Sequence, residues 1–172
     1  MKLRIILSLA YCLSSSYSFS FSKSTVTSKD FKTLIGCWNG SLTYLDYSTN
    51  KPFSMPANMV VKDFKRSNFI IFSLIYPKEP GANTLDTIFI SKDGRLLNKE
   101  TIKRTSRFNK DSIEIVTEIS SIDGNDNKAA IIRHTYMLGK NTYSIKKEVQ
   151  FIGQTQWILR NEYRLIRVKP CS

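Results

Sequence analysis

From Gly36 to the C-terminus, runs rich in isoleucine, valine, threonine and aromatics alternate with clusters of glycine, proline, asparagine and aspartate. Branched and aromatic side chains suit a pleated, half-buried surface, and the intervening residues are turn formers. The spacing predicts strands over 37–47, 54–64, 68–76, 85–91, 95–104, 112–121, 128–138, 142–151 and 156–168. Asn50 to Pro52, Pro77 to Gly81, Asp93–Gly94, Asp123 to Asn127 and Gly139 to Asn141 separate them. None of these connections has the dozen or more residues that a parallel crossover requires, so the order is an antiparallel meander. Left open, such a sheet has two unpaired edges, and closure into a barrel removes them. The expectation is an all-β, antiparallel up-and-down barrel of eight to ten strands, with a β-sandwich as the rival. One short helix should precede it, capped by Ser28, carrying Phe31, Leu34 and Ile35 on one side and ending at Gly36.

The chain has 172 residues, and its start reads as a targeting segment. Lys2 and Arg4 precede the short apolar run from Ile5 to Leu13, and a serine-rich stretch follows. That run is too short to span a bilayer, so residues 1–20 are expected to be a signal peptide cleaved after Ser18 or Ser20. Residues 21–27 are then a flexible N-terminal segment and 28–172 one barrel domain, in a periplasmic or secreted protein. The other reading of the leader is a lipid anchor on Cys12, against which the bulky Tyr11 argues. Beyond Cys12, the pair Cys37 and Cys171 remains. In an exported domain it reads as a single disulfide joining the first strand to the C-terminus, with two unpaired thiols as the alternative.

The formal charge of +12 permits nucleic acid or an anionic membrane as a partner in principle. The basic residues are nevertheless spread along the chain. Even the densest group, Lys99, Lys103, Arg104 and Arg107, alternates with Glu100, Thr101 and Ile102 like the solvated edge of a strand. No nucleic-acid partner is expected, and weak peripheral contact with anionic lipid is.

Gly36, Cys37 and Trp38, placed after the short helix and at the head of the first strand, resemble the Gly-X-Trp signature of lipocalins and their calycin relatives. The stretch from Leu34 through Gly40, with Leu42, Tyr44, Asp46 and Tyr47, also looks like uncharacterised bacterial lipocalin-like envelope proteins. The resemblance implies a tryptophan at the barrel floor beneath an arginine from the end of the last strand. Arg167, ahead of Arg164, fits that role. If first and last strands pair, Cys37 comes near Cys171, so closure and disulfide support each other.

With Trp38 inward, alternation turns Gly40, Leu42, Tyr44 and Asp46 inward as well. Ala130, Ile132, His134, Tyr136 and Leu138 then share an inward face, as do Tyr143, Ile145, Lys147, Val149 and Phe151. The last strand contributes Trp157, Leu159, Asn161, Tyr163 and Leu165. An apolar wall with Tyr44, Asp46, His134, Tyr136, Lys147, Asn161 and Tyr163 has the composition of a small-molecule site. A barrel of this size can equally fill with its own side chains. His134 is the sole histidine, which excludes a multi-histidine metal site and leaves at most a single haem ligand or, more plainly, a satisfied core residue. No cofactor is implied. Nucleophile elbows, phosphate loops and paired-cysteine metal spacings are missing, so no catalytic residue is assigned. The expected function is non-enzymatic: a module of the bacterial envelope holding a small hydrophobic or amphipathic ligand in its barrel. The alternative is a filled barrel whose basic surface meets anionic lipid or a protein partner.

Overall fold

The computed structural model describes residues 24–46, 48–49, 51–62, 68–109 and 111–171; the leader expected over 1–20 and the first residues of the segment 21–27 lie outside them. Ten strands follow one another: β1 Gly36–Asp46, β2 Lys51–Val61, β3 Phe69–Ile75, β4 Thr84–Phe89, β5 Leu96–Leu97, β6 Glu100–Asn109, β7 Ser112–Asp123, β8 Lys128–Leu138, β9 Thr142–Phe151 and β10 Ile158–Val168. They form one antiparallel sheet in the order β4-β3-β2-β1-β10-β9-β8-β7-β6-β5. Its two ends meet where Ile90 bridges Leu97 and the Asn98 N–H donates to the Phe89 carbonyl at 2.8 Å. The result is a nearly closed barrel. A seam stays open along the upper half of β4, where the exposed residues Thr84 to Thr87 pair only with β3 among the described residues.

The first and last strands pair over eight positions, from Cys37 opposite Val168 to Tyr44 opposite Asn161. Gly40 is what lets them meet: a Cβ there would stand 2.0 Å from the Arg164 carbonyl oxygen. Beside this pairing, Cys37 and Cys171 form a disulfide across 134 residues of chain.

Three expectations change. The segment expected as one strand over 95–104 is two, because Asn98 and Lys99 adopt positive φ (51° and 71°) and make a tight reversal; that conformation is the one a two-residue hairpin demands. The second strand starts at Lys51 and runs through Pro52 and Pro56, although Pro52 was expected to break it. Among the described residues β3 pairs with β2 only from Asn58 to Val61, so the earlier half of β2 has a side with no strand partner there, where a missing N–H costs no ladder bond. No α-helix occurs among the described residues; Ser28–Leu34 is a 3-10 helix, capped by Thr27 instead of Ser28, that buries Phe31 and Leu34. Just before it, Val26 is buried and its N–H donates to the Gly94 carbonyl at 2.9 Å.

Replacing Gly40 with alanine is expected to abolish β1–β10 pairing and with it soluble expression, read by circular dichroism of whatever is recovered. Replacing both cysteines with serine is expected to lower unfolding free energy by up to about 5 kcal/mol, the chain-entropy value for so long a loop, measured by urea denaturation of the intact and doubly substituted proteins.

Candidate functional site

The lower end of the barrel is sealed. Trp38 is fully buried, and its Nε1–H donates to the Leu34 carbonyl at 2.7 Å. The Arg167 guanidinium lies 4.2 Å from the indole centroid, a distance at which the ring quadrupole attracts a cation. Arg167 also donates to the carbonyls of Lys140 and Ile35, each at 2.7 Å, and to that of Thr33. It thereby satisfies carbonyls at the end of the 3-10 helix and in the β8–β9 turn, which fixes the plug against the sheet. Gly36 is required by both its φ of +126° and the 2.7 Å that a Cβ would leave to Arg167 Nη1. Arg164, the other arginine considered for this place, is on the outside and pairs with Glu162 at 3.0 Å.

Above the floor lies a cavity of about 130 Å³. Its apolar wall comes from Met59, Leu74, Ile88, Ile145 and Leu165, and Phe72, Tyr136, Tyr143 and Tyr163 add aromatic faces. Asp86 and Asn98 supply the remaining polar groups. Tyr163 and Tyr76 share a hydroxyl–hydroxyl hydrogen bond of 2.6 Å. Asp86 is exposed where β4 borders the open seam, so the cavity communicates with solvent on that side. Burial holds the phenols of Tyr136, Tyr143 and Tyr163 protonated well beyond the usual tyrosine range.

A buried polar cluster borders this chamber. Glu100, only 8% exposed, accepts a hydrogen bond from the Thr117 hydroxyl and lies 2.9 Å from Nδ1 of His134. Further along, Asp123 accepts from Lys147 at 3.2 Å and from Arg160 at 2.7 Å. Both pairs are largely withdrawn from water, and a buried charge whose partner is removed is strongly destabilising.

Of the residues expected to face a ligand, Tyr136 and Tyr163 line the cavity. His134 is engaged by Glu100 and Lys147 by Asp123. Tyr44 is half-buried against the core and stacks on Phe53 at 5.5 Å; Asn161 stands opposite it. Asp46 does not serve the interior: its carboxylate accepts from the Ser48 and Thr49 hydroxyls and the Ser48 N–H, closing the β1–β2 turn, and these bonds hold its pKa down.

The start of the last strand faces the other way from the expected register. Pairing of β10 with β9 slips between Leu159 and Asn161, and a bulge of this kind reverses alternation. Leu159 is consequently 43% exposed, Trp157 lies under the Arg133 guanidinium at 3.7 Å, and Arg160 points inward to Asp123. Glu100 is likewise the opposite of a solvated edge.

Asp86, Asn98, Phe72, Tyr76 and Glu100 were not foreseen as site residues. Asn98 carried a usable signal, as an asparagine before a lysine inside an apolar run suggests a reversal; Asp86 carried none, because its position at the seam depends on how the barrel closes.

No family model matches the chain, and no curated protein does. Among solved structures it is similar to Rv2717c from M. tuberculosis, with a TM-score of 0.55 and 13% sequence identity over 82% of this chain and 96% of that one. At such identity the likeness concerns the fold alone.

Tyr136 and Tyr143 hold their protons in the folded protein at a pH where the unfolded chain releases them, near 10. Their contribution is complete below that pH and is lost above it, at up to about 1.4 kcal/mol per pH unit for each. Alkaline titration should therefore show phenolate absorbance from these two rings rising together with loss of the circular-dichroism signal.

Proposed function

We propose that the chain is a lipocalin-like, non-enzymatic binding module that holds one small hydrophobic or amphipathic molecule inside its barrel. The observation that carries this is the chamber itself: a space of about 130 Å³ enclosed by apolar side chains, with a few polar groups converging on it and a side opening. That combination of greasy wall and sparse orienting groups is the usual make-up of a ligand site. The size favours a small guest, since an apolar cavity of about 150 Å³ accommodates benzene. An unfilled interior also supports this reading over a packed barrel that acts only through its basic surface. The Cys37–Cys171 disulfide and the signal-like leader support an envelope or secreted location, where such bonds persist.

The test is a thermal-shift and native mass-spectrometry screen of the disulfide-bonded protein against aromatic, aliphatic and amphipathic molecules of benzene to short-chain size. A guest at one hundred times its dissociation constant should stabilise the fold by about 2.7 kcal/mol. Ile145→Phe, which fills the chamber from β9, should remove the response while leaving the β spectrum intact. A screen with no stabilising compound, or a response that survives Ile145→Phe, overturns the proposal.

A further inference from the structure

The chain carries 26 lysines and arginines against 14 acidic residues, yet none of the basic ones lines the chamber among the described residues. The single charged side chain there is the Asp86 carboxylate. It accepts the Thr87 N–H at 2.6 Å, and no lysine or arginine among the described residues forms an ion pair with it. Behind the wall stands a second carboxylate, Glu100, close enough for its charge to help keep the Tyr136 phenol protonated. The polar character of this space is thus negative in a strongly positive protein.

Aromatic rings reinforce it. Four of the lining side chains are Phe72, Tyr136, Tyr143 and Tyr163, and ring faces are the negative pole of the aromatic quadrupole. Because the three phenols are held neutral by burial, they present ring faces and hydroxyl dipoles and no net charge. An anionic guest would meet Asp86 and these faces with no cation to balance it. A neutral hydrocarbon would use the wall and leave Asp86 without a counter-charge.

We propose that the chamber takes a small organic ammonium ion, its alkyl groups against the aromatic wall and its positive charge balanced by Asp86 at the side opening. The inference rests on the binding-module reading and names the chemical class of its ligand. Weakly hydrated alkylammonium groups are what aromatic boxes recognise, since desolvating them costs less than desolvating a bare ammonium while attraction to the rings persists. The volume suits a trimethylammonium head, and the opening beside Asp86 leaves room for a substituent to project outward.

The experiment compares three molecules of nearly one shape by isothermal titration calorimetry on the disulfide-bonded protein: choline, the neutral 3,3-dimethylbutan-1-ol and the anionic 3,3-dimethylbutanoate. Choline should bind about tenfold more tightly than the alcohol, the magnitude that a desolvated cation–aromatic contact supplies, and the acid should bind more weakly than either. Asp86→Asn, at an exposed position that need not disturb folding, should cost choline about tenfold and leave the alcohol unchanged. Equal or tighter binding of the alcohol, or choline binding indifferent to Asp86→Asn, overturns the cation assignment while the binding module stands. If none of the three binds and the wider screen also finds no guest, both readings fail together.

Discussion

The pairing of β1 with β10 is the contact on which the rest of the molecule depends. It joins segments more than a hundred residues apart, so its loop-closure entropy is borne before any of its contacts form. Three local features act at that one place: Gly40 removes the Cβ that would strike the Arg164 carbonyl, the Cys37–Cys171 disulfide locks the lower end, and Arg167 ties β10 to the indole and to the 3-10 helix. Without this junction the sheet would be an open ribbon, and neither floor nor chamber would exist.

Closure is incomplete at the opposite side of the barrel, and this asymmetry matters for function. β5 is only two residues long, so it bridges only Ile90, just past β4, and among the described residues the upper part of β4 has no strand partner on that side. The seam exposes Asp86 while Ile88 and Ile90, two and four residues further on, remain buried. An entrance in the wall, beside a carboxylate, gives the aromatic chamber a route to solvent that does not pass through the Trp38 floor. Carboxylates elsewhere in the interior have fixed partners: Asp123 is ion-paired with Lys147 and Arg160, and Glu100 is hydrogen-bonded to Thr117 and His134. Such networks are costly to desolvate and serve more to hold a geometry than to add stability.

Much of the architecture was legible because a strand's period of two is a local property. Alternation from Trp38 placed Leu42, Tyr136, Tyr143, Ile145, Tyr163 and Leu165 in or against the core, and the turn clusters located most strand ends within a few residues. The failures have physical causes of their own. Parity is inherited along a strand only until a bulge, so the slip before Asn161 turned Leu159 outward and Arg160 inward. A reversal that needs positive φ at Asn98 and Lys99 divided one apparent strand into two and brought Glu100 from an assumed solvated edge into the interior. Asp46, short and close to a turn, found hydroxyl partners in its own loop.

By itself, the sequence determined the class of fold, the direction of its strands, the cysteine pair available for cross-linking and the tryptophan–arginine candidates for the floor, because each follows from short-range periodicity or residue chemistry. Tertiary structure alone decided that the interior is partly empty, that the opening lies beside Asp86, and that the chamber excludes the abundant basic residues. Those properties arise from where distant strands meet and how their side-chain volumes sum, and no local pattern encodes either.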